Sequence, residues 1–590
     1  MASPSLPSLT VEGDITSVIP ACIEDTTLCF KTFSKERLGW YLYDAGNSAI
    51  GNYALLVFIP LLLLNLALEQ AYNGSAVKDC SSYTDVECDS EYCYVDSLRE
   101  ELFSAADCTH CVEGEGVLLW DMVTRKFVAW FPPSVSFFGF AVDPTTFASL
   151  TVSLSVAVQA IFFITFGAFA DHLSIRYYGM LITSVIAQLT AISFIFMSSG
   201  SLYFAAALLT IILNAFYGLS GVFYDAYLPV IVDAHSFLVR FAGIKIPESL
   251  KQFREDLMDR TSAYGSAWGF AGSGLIMACC FALILSLSSD ESRQKLSLRI
   301  SIMICGLWWA LLTPLVFYWL KIRPGTPLPE YHPKWLVVFH GWKSVGLTIR
   351  DAMRFKNTGI FLVCFFFYSD ALSTLVSVAV LFAEDALCFG ASQQAIMLII
   401  IWPTSVIGNF FYIWLKTKLN LRTKTVLLMI LSVYTICCLY GSFGLIKSLP
   451  FGLKTAAEMY AFAAIHGLNV GALLSFQRAL YADLTIPGRE TEFFSLSAIT
   501  DRGSSWLGPL IVGLIKETTG SLRGAFVYFF IMFALPSLAL AFFVDHDKGM
   551  IDVGRLLVEE SGESGISENI GKSSDPNIPS NNNNTKHSTL

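Results

Sequence analysis

The stretch GWYLYDAGNSAIGNYALLVFIPLLLLNLAL, Gly39 to Leu68, decides the fold class. It is a single apolar run of about thirty residues, long enough to cross a bilayer as a helix. Near its start stand an acid, Asp44, and two amides, Asn47 and Asn52. A charged side chain in a spanning helix is costly, so it faces a bundle interior or a wet cavity rather than lipid.

Working outward from this run, the whole chain has the same character. Of 590 residues, 54% are hydrophobic and only 15% charged, and mean hydropathy is +0.57. That is the composition of a polytopic membrane protein. Twelve apolar segments have membrane length: 39–68, 145–169, 178–198, 202–230, 262–288, 300–320, 359–383, 392–415, 424–446, 455–482, 495–515 and 523–544. They split six and six around a basic connection at 321–358, so an N-terminal half (39–320) and a C-terminal half (359–545) are expected. Residues 1–38 read as an N-terminal segment, without the basic and apolar regions of a signal peptide. Residues 546–590 are too polar to build a core and read as a disordered tail.

Loop charges orient the segments. Arg240, Lys245, Lys251, Arg254 and Arg260 follow segment 4, seven Lys and Arg lie between Lys321 and Lys356, and Lys416, Lys418, Arg422 and Lys424 follow segment 8. The positive-inside rule then puts both termini in the cytosol and the acidic loop 69–143 on the opposite, luminal side. Five of the fourteen cysteines fall in that loop: Cys80, Cys88, Cys93, Cys108 and Cys111. On an oxidising side these are disulfide candidates; CTHC at 108–111 has no second pair to complete a zinc cluster. Asn73-Gly-Ser is an N-glycosylation acceptor on the same side. Neither a metal site nor a cofactor is expected, and a net charge of −10 gives no reason to expect a nucleic-acid partner.

The halves echo each other. Segment 1 has YLYDAGNSA and segment 7 has FFYSDALST; Gly265-Ser266-Ala267-Trp268 of segment 5 aligns with Gly503-Ser504-Ser505-Trp506 of segment 11; segment 4 ends YDAYLP and segment 10 ends YADLTIP. Internal symmetry of this kind marks secondary transporters. Between segments 2 and 3, GAFADHLSIR resembles the gating motif of the major facilitator superfamily at Gly167, Asp171 and Arg176, although His172, Ser174 and Ile175 depart from it. An Asp at that helix end would pair across the seam between halves.

GWYLYDAGNSA, FYSDALST and above all RALYADLTIPGRETEFFSLSAITDRGSSWLGPLI (478–511) resemble the autophagy-related vacuolar amino-acid effluxer family. The resemblance implies an all-α major facilitator fold of twelve spanning helices in two pseudo-symmetric halves, and export of amino-acid cargo from the vacuole lumen to the cytosol. The cysteine-rich loop is larger than that fold needs.

Three polar stripes are candidates for the path of cargo and protons. Asp44, Asn47 and Ser48 share one face of segment 1, and Asp370, Ser373 and Thr374 one face of segment 7. His466, Asn469 and Gln477 line segment 10, with Arg478 to one side, where it needs an acid that Asp483, Asp501 or Asp44 could supply. Small residues and hydroxyls also serve as interhelical contacts, which accounts for most of the Ser and Gly here but not for two acids in matching places. Asp44 is the expected proton site, taking a proton from an acidic lumen and losing it to the cytosol, with Asp370 as its counterpart. Asp501-Arg502 reads as a charge pair opening segment 11 near the cytosolic face, a helix-terminal pair or part of the gate. Hydrolase motifs are absent, including the Gly-x-Gly-Asp of an intramembrane aspartyl protease, and there is no phosphate-binding GxxxxGK[ST], so neither an enzyme nor a directly ATP-driven pump is expected. A nutrient sensor on a transporter fold, or a transporter of another small solute, stays open.

Overall fold

The computed structural model describes residues 26–74, 134–235, 248–287, 291–323, 340–446 and 449–550, apart from isolated positions, and four short strands between 86 and 130. Among these, eleven helical stretches are long and apolar enough to cross a membrane.

The first is built in three pieces: α1 (Thr26–Ala49), a π-helical segment (Ile50–Phe58) and α2 (Ile59–Gly74). Pro60 explains the middle one. It has no N–H to give, and its ring crowds the carbonyl four residues back, so the backbone widens to a five-residue register, with Ile59 N–H on Ala54 O. The remaining helices are α3 (Pro144–Phe166), α4 (Ile175–Ser193), α5 (Tyr203–His235), α6 (Glu248–Leu287), α7 (Glu291–Trp319), α8 (His340–Arg354), α9 (Lys356–Leu387), α10 (Ala391–Leu419), α11 (Thr423–Ser442), α12 (Ala456–Asp483), α13 (Glu490–Ser504), α14 (Leu507–Thr519) and α15 (Ala525–Phe543). Local signals set several ends. Asp143 caps α3, accepting from the N–H groups of Thr145 and Thr146, with Pro144 at the first helical position.

The apolar loop-side segments are hairpins: β1 (Val86–Cys88) with β2 (Cys93–Val95), β3 (Val117–Asp121) with β4 (Lys126–Trp130), and β5 (Val135–Phe137) with β6 (Phe140–Val142). Cys88 lies opposite Cys93 in register. Cys80, Cys108, Cys111 and the tail from 551 lie outside the described residues.

In the first half α1 packs on α6 and α7, and α5 lies against α3 and α4. In the second, α12 packs on α10 and α11, and α15 on α9 and α11. The halves meet where α6 crosses α10 and α12, and where α13 crosses α3 and α5. Glycines set these approaches. A Cβ on Gly167 would stand 1.9 Å from Ser495 Oγ, and one on Gly265 would stand 2.2 Å from the Trp40 ring. The repeated glycine of segment 5 thus makes room for Trp40.

Segment 11 differs from expectation. It begins at Glu490, not 495, and is broken between α13 and α14. Pro509 is the cause: its ring would clash with the carbonyl of Ser505, and it donates nothing to close the turn. The hydroxyls of Ser504 and Ser505 turn back to the carbonyl of Asp501, at 2.8 and 2.9 Å. The connection 321–358, expected to be only a loop, contains α8.

Candidate functional site

Where the halves face each other, in the part of the bundle toward the ends of α5 and α12, three helices bring charges together and α6 packs beside them. Arg478 of α12 pairs with Asp225 of α5, Nε to Oδ1 at 2.9 Å. Its guanidinium lies over the rings of Tyr224 at 5.3 Å and Trp40 at 5.7 Å. Trp40 and Tyr43 of α1 both stack on Tyr224, at 4.4 and 4.9 Å, and Trp40 Nε1 donates to Tyr224 O at 3.0 Å. Asp44 accepts from Ser48 Oγ at 2.9 Å and lies against Gly269 of α6, whose absent Cβ would stand 2.9 Å from Oδ2. Asn47 is buried one face away.

This cluster is under-satisfied. Arg478 Nη1 is buried without a hydrogen-bond partner, Asp225 Oδ1 has the ion contact but no directed hydrogen bond, and the Tyr224 hydroxyl lies beside Asp44 and Arg478 without a well-directed bond to either. Buried polar groups are nearly always bonded, to protein or to water, so these open ones are free to take a water or a ligand group. Of the three acids that the sequence offered Arg478, Asp44 lies close enough to interact through charge, but the ion pair is made with a fourth, Asp225. Asp483 is instead bound by Arg254 and lies 3.2 Å from His546 Nε2.

Asp370 does something different from Asp44. Its Oδ1 accepts the N–H of Gly508 at 3.0 Å and its Oδ2 the hydroxyl of Tyr528 at 2.7 Å. It caps the N-terminus of α14, where the break in segment 11 frees backbone N–H groups. Ser373 bonds its own backbone at Asp370 O, and Thr374 Oγ1 is buried and unpartnered. Asp501 and Arg502 do not open segment 11. They lie eleven and twelve residues after Glu490, beside the break, and Asp501 accepts from Ser369 Oγ. The polar residues of GRETEFF looked like loop; they are buried because their charges are paired. His466 and Asn469 face within their own half, bonded to Tyr434 at 3.2 Å and Tyr412 at 2.6 Å, as interhelical contacts.

At the end of the bundle that carries the loop between α3 and α4, Gly167, Asp171 and Arg176 do meet the other half. Asp171 accepts the N–H groups of Thr491 at 2.9 Å and Glu492 at 3.0 Å, capping α13. Arg176 joins Asp171 to Glu490, reaching Oε2 at 2.8 Å, and bonds Thr491 Oγ1 at 3.2 Å. A second latch lies at the same end. Glu255 of α6 caps α11 through Thr423 N–H and pairs with Arg422 at 3.0 Å, while Lys416 is held by Asp259 and, at 2.9 Å, by Asp256. Sequence reasoning missed Asp225, Glu255, Asp259 and Glu490 as site residues. Asp225 stood in YDAYLP and Glu490 in the family-like stretch, but no spacing reveals a partner that lies 253 or 314 residues away.

Two six-helix halves, closed at one end by paired charges around an open polar centre, define a membrane transporter of the major facilitator fold, not an enzyme. Solved structures agree on the fold. The proton:xylose symporter XylE is similar over 90% of this chain and 99% of its own, at TM-score 0.54 and 12% identity; the E. coli fucose:proton symporter FucP is similar over 84% and 100%, at 0.50 and 14%. The family model described as "Vacuole effluxer Atg22 like" matches residues 32–554, and the chain belongs to that family. Autophagy-related protein 22 of Gibberella zeae is 28% identical, covering 90% of this chain and 84% of its own length. Autophagy-related protein 22-1 of Phaeosphaeria nodorum is 29% identical over 93% and 96%.

Proposed function

We propose that the protein exports amino acids, neutral ones with aliphatic or aromatic side chains, from the vacuole lumen to the cytosol by proton-coupled alternating access. The observation that carries this is the juxtaposition of Arg478, Asp225 and Asp44 in an aromatic-walled centre with open hydrogen-bonding groups. A zwitterion needs both signs of charge within one molecule's length. Its carboxylate fits Arg478 Nη1, its ammonium fits the acids, and an apolar side chain fits Trp40, Tyr43 and Tyr224. Asp44 takes a proton with the site open to the acidic lumen and releases it to the cytosol with the cargo. The loop-charge asymmetry supports this orientation, with both termini cytosolic, the latched end closing the cytosolic side, and Asn73 and the loop cysteines luminal, open to glycosylation and disulfide formation.

Purified protein in vesicles with an acid interior, given a panel of labelled amino acids, sugars and nucleosides, tests the reading. Amino acids leave and the others stay. Asp44→Asn loses gradient-driven transport but keeps cargo exchange, whereas Asp225→Asn and Arg478→Gln lose both. Gradient-driven transport persisting in Asp44→Asn removes the coupling role, and sugar or nucleoside transport removes the cargo assignment.

A further inference from the structure

We propose that α8 is a lipid-docking element, which lays an apolar stripe into the headgroup boundary of the adjacent leaflet and sets a basic stripe against anionic phospholipid headgroups. This rests on the membrane-spanning fold and on nothing about the cargo.

The helix lies in the right plane. Its start touches the last turns of α3, where a Cβ on Gly341 would stand 2.5 Å from the carbonyls of Ile164 and Thr165. Its end touches the first turn of α9, where a Cβ on Gly359 would stand 2.9 Å from Ala352 O. Those two contacts are roughly 16 Å apart along the helix. Both belong to the same ends of spanning helices, so α8 runs across the bundle end rather than away from it. Only Phe355 separates α8 from the span that starts at Lys356.

Its faces are sorted. Gly341, Ser344, Thr348 and Ala352 are buried against the protein. There Ser344 and Thr348 donate to Glu492 at 2.6 and 2.8 Å, and Arg489 reaches Asp351 at 2.8 Å. On the outside, Trp342, Ile349 and Met353 are 49%, 45% and 67% exposed. At 100° per residue they fall within about 40° of one another; Lys343, Arg350 and Arg354 form a second stripe of about the same width, starting about 60° further round. All three cations are exposed and have no ion-pair partner among the described residues. An exposed apolar stripe bordered by unpaired cations, beside the ends of spanning helices, is the pattern of an interfacial helix, and its charge complement is an anionic lipid surface. Because the inner face holds Arg489 and Glu492 beside Asp171, docking braces the latch at the start of α13.

The test uses the full chain in nanodiscs with a photo-reactive benzoylphenylalanine at Met353. The discs contain phosphatidylcholine alone or with about one-third phosphatidylserine, near the composition of an anionic leaflet. Mass spectrometry identifies the cross-linked partner, and thermal midpoints confirm folding. Lipid adducts are expected, with phosphatidylserine enriched several-fold over its mole fraction. The triple variant K343Q/R350Q/R354Q keeps the adducts and loses the enrichment. Adducts to the protein's own chain, absence of lipid adducts, or adducts that merely follow the bilayer's composition in the wild-type chain overturn the proposal.

Discussion

The two halves carry one motif and use it in opposite ways. In each, a carboxylate and a hydroxyl one turn apart on the first helix, Asp44 with Ser48 and Asp370 with Thr374, face a glycine on the fifth, Gly269 or Gly508. Helix α6 runs straight past Asp44. Its counterpart is broken by Pro509, for which α6 has no proline, and the freed N–H of Gly508 turns to Asp370. One acid is left with a single directed partner beside an arginine; the other is consumed as a cap. A repeat that looks like two equal proton sites holds one open site and one structural joint.

The largest effect should therefore be on stability, and at Asp370. Asp370→Ala leaves a buried N–H and the Tyr528 hydroxyl without their acceptor, costing about 1–3 kcal/mol for each. Thermal midpoint and yield from detergent should both fall. Asp370→Asn retains one acceptor and falls less. Asp44→Ala should cost less than Asp370→Ala, since Ser48 can turn to its own backbone and Arg478 keeps Asp225. Equal losses in the two alanine variants would break the comparison.

The next effect concerns the latch at α13. Asp171 accepts two backbone N–H groups and an arginine, and Asp171→Asn leaves one oxygen to do that work. Transport rate should drop several-fold with membrane level intact. Gly167→Ala should act in the same direction by steric means, forcing a Cβ into Ser495 and the carbonyl of Phe163, which it would approach to 2.6 Å. Rates equal to wild type in both variants would reduce the motif to an ordinary turn.

The apolar runs were legible because bilayer thickness fixes their length, and eleven of twelve emerged as helical stretches of membrane length among the described residues. The exception was misread for a physical reason. Hydropathy averages over a window, so a mid-span proline hardly changes it, and Glu490 and Glu492 looked solvent-exposed although paired charges bury well. Asp44, Arg478, Asp171 and Arg176 stood out as charges in apolar or motif settings. Their partners did not. Arg478 had three plausible acids in sequence; Asp44 lies near it, but its ion pair is with a fourth, because the choice depends on how α5 and α12 cross. The stripe on segment 10 was real as a helical face, yet His466 and Asn469 point to neighbours within their half.

The smallest effect separates the two latches by chemistry. The one at Asp171 joins two carboxylates, Asp171 and Glu490, to Arg176 and two backbone N–H groups. The other contains His546, just beyond α15 and outside the spans, with Asp483 of α12, Arg254, Glu255 and Asp259 of α6 and Lys416 of α10 around it. Burial opposes its charge, but the hydrogen bond to Asp483 and the nearby charges of Asp483, Glu255 and Asp259 prevail and raise its pKa above the ordinary value. A raised pKa in the folded state means that folding favours the protonated form. Its contribution is complete below about 6.5 and is lost as pH climbs through the raised value. The thermal midpoint of the wild-type protein should thus decline over that interval, and His546→Gln should flatten the decline while lying below wild type on the acid side. Parallel curves for wild type and His546→Gln would mean that His546 does not carry the pH dependence and that this latch acts through its fixed ion pairs alone.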